Sequence, residues 1–250
     1  MSVKACRSGS AGRSICVFDL GKTNKKLLVF DEDLRIVDSI YETFDATEKD
    51  GLYVEATEAT ADWLLAGLQS LASRRDIGVI SIAAHGAAFA CMDSGGRLAL
   101  PVLSYTTDPG PDFHQAFQAR FGDPRSFQAR MATPDIPGLG CMAKGIYFVQ
   151  TRFSQRFDDT RALLPLPQYY GFLLTGKKGI EQTYLANHTG LWNFRDGSWS
   201  EVAVALGIMD LFPAVISKPW DLLGAITPAV AEKTGLRPDT AVTVGIHDSN

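Results

Sequence analysis

Ile15-Cys-Val-Phe-Asp-Leu-Gly-Lys-Thr-Asn-Lys-Lys26 is the stretch that decides the fold. A short apolar run rich in β-formers, Ile15 to Phe18, stops at a carboxylate. A glycine turn follows, and the chain turns apolar again from Lys25 to Phe30. Leu34 to Phe44 carries Ile36, Val37, Ile40 and Tyr41 beyond a second turn, Asp31-Glu-Asp33. Three short strands in an antiparallel meander are the economical reading. Residues 56–73 then change period: Ala61, Leu64, Leu65, Leu68 and Leu71 recur at three- and four-residue spacing, which predicts an amphipathic helix. Val79 to Ala83 reads as a buried parallel strand and Ala87 to Met92 as another, closed by the turn Asp93-Ser-Gly-Gly96. The order predicts an α/β mixed sheet with flanking helices.

Farther along, Pro109, Pro111, Pro124, Pro134 and Pro137, with Pro101 just upstream, break residues 108–140 into short helical pieces, read as an insertion on the sheet. Helices are expected over Cys141–Phe153 and Leu163–Leu174, the second closing at Thr175-Gly176. Residues 181–199 show no clear period. A short helix over Ala229–Thr234 is opened by Pro228 and capped by Thr227, and Ala241 to Gly245 reads as a last strand.

Composition limits the function. The 250 residues are 46% hydrophobic and 21% charged, the balance of an ordinary globular protein. Lys plus Arg is 24 against 28 for Asp plus Glu, a net charge of −4, so no basic stripe marks a nucleic-acid partner. No stretch approaches the ~20 apolar residues of a membrane helix. Cys6, Cys16, Cys91 and Cys141 form no C-x-x-C, which suits buried thiols in a reducing compartment. The expectation is a soluble cytoplasmic protein with a flexible leader over residues 1–14.

Three clusters could carry chemistry. Asp19 at a strand end, before a glycine turn with Thr23, Asn24 and Lys26, suits nucleotide phosphates and a magnesium ion. It is neither a P-loop nor a dinucleotide fingerprint, and a plain hairpin would read the same way. Gly245-Ile-His-Asp248 puts a carboxylate just beyond a buried strand, where open α/β sheets hold their reacting groups. Asp248 there could take the proton of an attacking hydroxyl, or simply cap a helix with His247. A metal-dependent phosphohydrolase built on His247-Asp248 would need further ligands, and His85, His114 and His188 stand in strand-end or irregular contexts. His85, Tyr105 and Asp108 would suit a polyhydroxylated ligand, the ring covering an apolar sugar face.

In order and spacing these segments resemble the N-terminal half of the FGGY family of carbohydrate kinases. Asp19-x-Gly-x-Thr-Asn24 is similar to the family's D-x-G-T-T/S opening, and Lys26 falls where a basic residue ends that hairpin. Ala84 to Gly96 resembles H-G-x-x-x-x-x-D-x-x-G, and Tyr105 and Asp108 resemble its aromatic-x-x-D step. Pro167 to Gly176 and Glu181 to Trp199 are similar to the helix ending in L-T-G and the stretch after it, and Gly245 to Asp248 to the G-x-x-D strand end.

The resemblance implies an actin-like ATPase (ribonuclease H-like) fold, the N-terminal domain of a two-domain sugar kinase using ATP and Mg2+. It implies Asp248 as general base, Asp19 at magnesium, and Thr23, Asn24 and Lys26 at the phosphates. His85, Tyr105, Asp108 and His247 would bind a ketose or polyol. A homodimer fits as well. The sugar-binding domain is expected over 15–244, with 245–250 beginning the ATP-binding domain, whose glycine-rich segments are absent from these residues. The alternative is a sugar-binding or regulatory module without a functional ATP domain. Lys22 stands where the family has a small or hydroxyl residue, and is long enough to add a phosphate contact or obstruct one.

Overall fold

The computed structural model describes residues 12–250. The meander is present: β1 (Ser14–Leu20), β2 (Asn24–Phe30) and β3 (Ile36–Thr43) pair antiparallel in sequence order. Alternation places Cys16, Phe18 and Leu20 of β1, with Leu27 and Val29 of β2, on the buried face. A small hairpin, β4 (Thr47–Lys49) with β5 (Leu52–Val54), leads into helix α1 (Thr57–Ala72). Leu64, Leu68 and Leu71 form the buried stripe of α1.

The chain then crosses back to β6 (Ile77–Ala84), which lies parallel to β1. β7 (Phe89–Met92) leaves the main sheet, against the expectation that it extends it. It pairs antiparallel with β8 (Ala162–Pro165) in a separate ribbon. Between them lie α2 (Pro111–Phe121), α3 (Pro124–Met131), α4 (Met142–Arg152) and the single turn α5 (Ser154–Phe157). The prolines at 111 and 124 sit in the first turn of their helices, where a missing N–H costs nothing.

The helix read from Leu163 starts at α6 (Leu166–Thr175) and ends on Gly176 in the left-handed conformation. The residues before it are strand through their pairing with β7, and a short apolar run has no period from which sequence could separate that from helix. Residues 181–199 resolve into α7 (Gln182–Ala186) and a hairpin of β9 (Trp192–Asn193) and β10 (Ser198–Trp199). After α8 (Glu201–Leu206), β11 (Leu222–Ala225) and α9 (Pro228–Thr234), the chain forms β12 (Ala241–Thr243) and β13 (Ile246–His247).

The main sheet runs β11-β12-β6-β1-β2-β3, with β13 also beside β6. One core packs this sheet with residues of α1, α6 and α9. A second joins β7 and β8 to α2, α3, α4, α7 and α8. The expected division after residue 244 falls between two strands that both pair with β6. The leader expected over 1–14 lies outside the described residues up to position 11. Ser14 already belongs to β1, and Arg13 is ion-paired with Asp76 and Asp239.

Candidate active site

Three parallel strands, β1, β6 and β13, end side by side, and their carboxyl ends carry Asp19, His85 and Asp248, three of the candidate site residues. The register places Asp19 opposite Ala83 of β6, and Ile246 of β13 opposite that same residue. Asp19 and the segment leading to Asp248 therefore flank β6 on its two sides. Between Val242 and Ile246 the β12–β13 edge advances four residues while β6 advances three, from Ile80 to Ala83. The extra residue is absorbed at Gly245, whose φ is +87° and whose added Cβ would stand 2.6 Å from the Ile82 carbonyl oxygen. Only glycine fits that bulge, which resets the strand before Asp248. Buried Gln168 of α6 donates to the Val244 carbonyl at 3.0 Å and pins the bulge from behind.

Asp248 follows at once. Its backbone N–H donates to Ala84 O at 3.0 Å, and its Oδ1 lies 3.0 Å from Nδ1 of His247. That contact holds the Asp248 carboxyl below the ordinary carboxylate value, against the opposing effect of partial burial. The His247 ring is buried between Tyr184, 5.2 Å away centroid to centroid, and His188, at 5.5 Å. Gly86 makes room for it: a Cβ there would stand 2.0 Å from His247 Nε2. Tyr184 donates to the carbonyls of His85 and Ala88, both at 3.2 Å, and so ties α7 to the end of β6.

A cleft of about 300 Å3 opens at this corner, and Lys22, His85, Tyr105, His188, His247 and Asp248 are among the residues lining it. The structure thus brings together four of the residues expected at a sugar site: His85, Tyr105, His247 and Asp248. His85 packs against the Tyr105 ring at 5.7 Å. Burial pushes the pKa of His85 down and that of Tyr105 up, so both are neutral at neutral pH. Asp108 is not brought to this cleft. It is exposed, bonds His114 Nε2 at 3.0 Å, and lines a separate hollow with Phe117, Asp135 and Lys144. Thr107, which exchanges hydrogen bonds with the backbone of Tyr53, turns the chain away between Tyr105 and Asp108.

The β1–β2 hairpin forms the other side of the corner. Asp19 and Lys26 are cross-strand partners, joined by a 2.8 Å ion pair that raises the lysine pKa. Thr23 and Asn24 are exposed at the tip. Buried Lys25 donates to the carbonyls of Gly21 at 2.7 Å and Lys22 at 2.8 Å, and fixes the turn from within. Among the described residues neither the Lys22 nor the Thr23 amide N–H has a protein acceptor. Free amides at such a turn are donors suited to an anion. No group of three or more His, Cys, Asp or Glu side chains among the described residues is arranged to hold a metal. One partly exposed carboxylate at Asp19 fits magnesium kept mostly by water and substrate phosphates, as that ion prefers.

Sequence reasoning missed Glu55 and Ser104, which come from two distant segments to meet Lys22, and the part played by Lys25. Only Lys22 carried a signal, as a long side chain in a tight turn.

A mixed sheet in the order β11-β12-β6-β1-β2-β3, with helices packed on it, is the actin-like ATPase fold. The profile of the FGGY family of carbohydrate kinases, N-terminal domain, matches residues 14–250, and the chain belongs to that family. A solved structure of a carbohydrate kinase from Novosphingobium aromaticivorans superimposes with a TM-score of 0.88 at 33% identity, covering 97% of this chain and 50% of that one. Rhamnulokinase of Enterococcus faecalis is 35% identical over 97 residues, 38% of this chain and 19% of the relative. A probable L-xylulose kinase of Pasteurella multocida is 32% identical over 98 residues, 38% of this chain and 20% of the relative. These matches span half or less of each relative's length.

Proposed function

We propose that this chain is the sugar-binding half of an ATP-dependent kinase that phosphorylates a hydroxyl of a ketose or related polyol. The observation that carries the reading is the Asp248 carboxylate, kept ionised beside His247, opening into the same cleft as His85 and Tyr105. Asp248 accepts the proton of the substrate hydroxyl as its oxygen attacks the γ-phosphorus, and ADP leaves on the opposite side. Tyr105 covers an apolar sugar face and His85 orients a hydroxyl, while His247, expected to bind the sugar, is buried with its Nδ1 beside Asp248 and acts by positioning that carboxylate. The amides at Lys22 and Thr23, with the Thr23 and Asn24 side chains, receive phosphate oxygens, and Lys26 adds positive charge beside them. Magnesium bound with the nucleotide would neutralise phosphate charge, and Asp19 is the carboxylate that would hold it in this reading.

The reading takes residues 245–250 to lead into a second, nucleotide-binding lobe. Buried thiols at Cys16, Cys91 and Cys141, with the pKa of Cys16 pushed up to about 12, suit a reducing compartment such as the cytoplasm. Among the described residues no helix is long and apolar enough to cross a membrane.

The test is ADP release by the full-length natural protein with Mg-ATP and a panel of ketopentoses, deoxyketohexoses and polyols. Release that depends on one sugar supports the kinase. A protein that binds a sugar yet releases no ADP with any of them is a binding module instead.

A further inference from the structure

The hairpin carries three lysines that do different work. Lys26 pairs with Asp19, and Lys25 is spent inside the turn. Lys22 reaches the other way. Its Nζ donates to Glu55 Oε1 at 2.5 Å and to Ser104 Oγ at 2.7 Å, and stands 5.7 Å from the centroid of the Tyr105 ring. Both partners are held in place. The Glu55 N–H donates to Val102 O and the Ser104 N–H to Tyr53 O, each at 2.8 Å, so the strand leaving β5 is stitched to the segment before Tyr105. Glu55 Oε2 lies 3.8 Å from His85 Nε2, which links the pair to the histidine at the end of β6. The Glu55 side chain is only 9% exposed, whereas that of Lys22 is 23% exposed and lines the cleft.

We infer that the Lys22 side chain is a specificity determinant of the sugar pocket rather than a phosphate contact, and that it selects a neutral polyhydroxy substrate. The inference rests on the kinase reading above. An ammonium has three N–H donors, and Glu55 and Ser104 take two. The third donates to a substrate hydroxyl lying against Tyr105. Glu55 already balances the charge of Lys22, so the carboxylate of a sugar acid at this wall would meet a buried like charge. A neutral hydroxyl accepts the same N–H without that opposition.

The experiment uses the full-length protein, with sugar and Mg-ATP varied separately and the corresponding aldonic acids added to the panel. Lys22→Met leaves Glu55 buried without its cation, so Lys22→Met/Glu55→Gln, which removes both charges, is measured beside it. The expected result is a rise of ~10- to 100-fold in KM for the sugar, with KM for Mg-ATP unchanged, and a wild-type preference for neutral substrates. An increase in the Mg-ATP KM with the sugar KM unchanged, or a wild-type preference for a sugar acid, overturns the inference and leaves the kinase standing. A wild-type protein without sugar-dependent turnover on this panel overturns both.

Discussion

Nδ1 of His247 lies 3.0 Å from Oδ1 of Asp248 and 3.0 Å from the backbone N of Ser249. A neutral imidazole serves only one of these neighbours. With its proton on Nδ1 it donates to the carboxylate, and without it the ring accepts the Ser249 N–H. The carboxylate, lowered in pKa chiefly by this contact against the opposing effect of burial, favours the first arrangement. A consequence follows for pH dependence. With His247 in place the base stays ionised until pH falls through its lowered pKa. His247→Ala removes the contact, raises that pKa, and shifts the acid limb of the kcat/KM profile to higher pH. An acid limb that stays put in the variant contradicts this coupling.

Gly86 tests the same pair from the other side. A methyl group at this position would collide with the buried His247 ring, and the ring has Tyr184 and His188 on its remaining flanks. Gly86→Ala is expected to displace His247 and Asp248 and to lower kcat on the order of 100-fold, the cost of moving a catalytic group by about 1 Å. Far-ultraviolet circular dichroism should remain that of the wild type. Full activity would mean that the histidine can be accommodated elsewhere.

Lys25 is a buried cation that bonds two turn carbonyls, with its pKa lowered by burial. Lys25→Met keeps the aliphatic bulk and leaves both carbonyls unmet. Denaturant unfolding should show a loss of about 1–3 kcal/mol. If the turn presents its amides to phosphate, KM for Mg-ATP should rise as well, while the sugar KM holds. Unchanged stability would show that water replaces the ammonium at no cost.

Asp38 gives a stability prediction remote from the site. Arg74 donates to it at 2.7 Å and Arg75 at 3.3 Å, and the Arg74 hydrogen bond leads the causes that lower its pKa to about 2. A carboxyl with a depressed folded pKa adds stability above its unfolded pKa and loses it as pH falls through the folded one. Asp38→Asn should therefore have a lower Tm than wild type at pH 7, a gap that closes as pH falls from about 4 to 2. The gap should also shrink in high salt, since the arginines are substantially exposed. A gap independent of pH would point to packing instead.

The meander was legible because short runs of β-forming residues are separated by polar turns, and α1 because its single buried face gives its apolar residues a three- to four-residue period. The strand-end position of Asp248 was legible because it closely follows the strand read over Ala241–Gly245. The partner of β7 was not. Phe89–Met92 joins Ala162–Pro165 across a long insertion, and neither strand carries a sign of its mate. Asp108 was misleading for a related reason. Only two residues separate it from Tyr105, yet the Thr107–Tyr53 hydrogen bonds turn the chain between them. The Lys22–Glu55–Ser104 cluster joins three segments by tertiary contact alone, and no local pattern announces it.

The most direct test of the account compares Asp248→Asn with wild type in the full-length protein, with sugar binding and sugar-dependent ADP release measured on the same preparations. The account predicts that the variant binds the sugar as wild type does and turns over ~10²- to 10⁴-fold more slowly, because only the proton acceptor is lost. Turnover at the wild-type rate would contradict it, and the base would have to be sought elsewhere in the cleft.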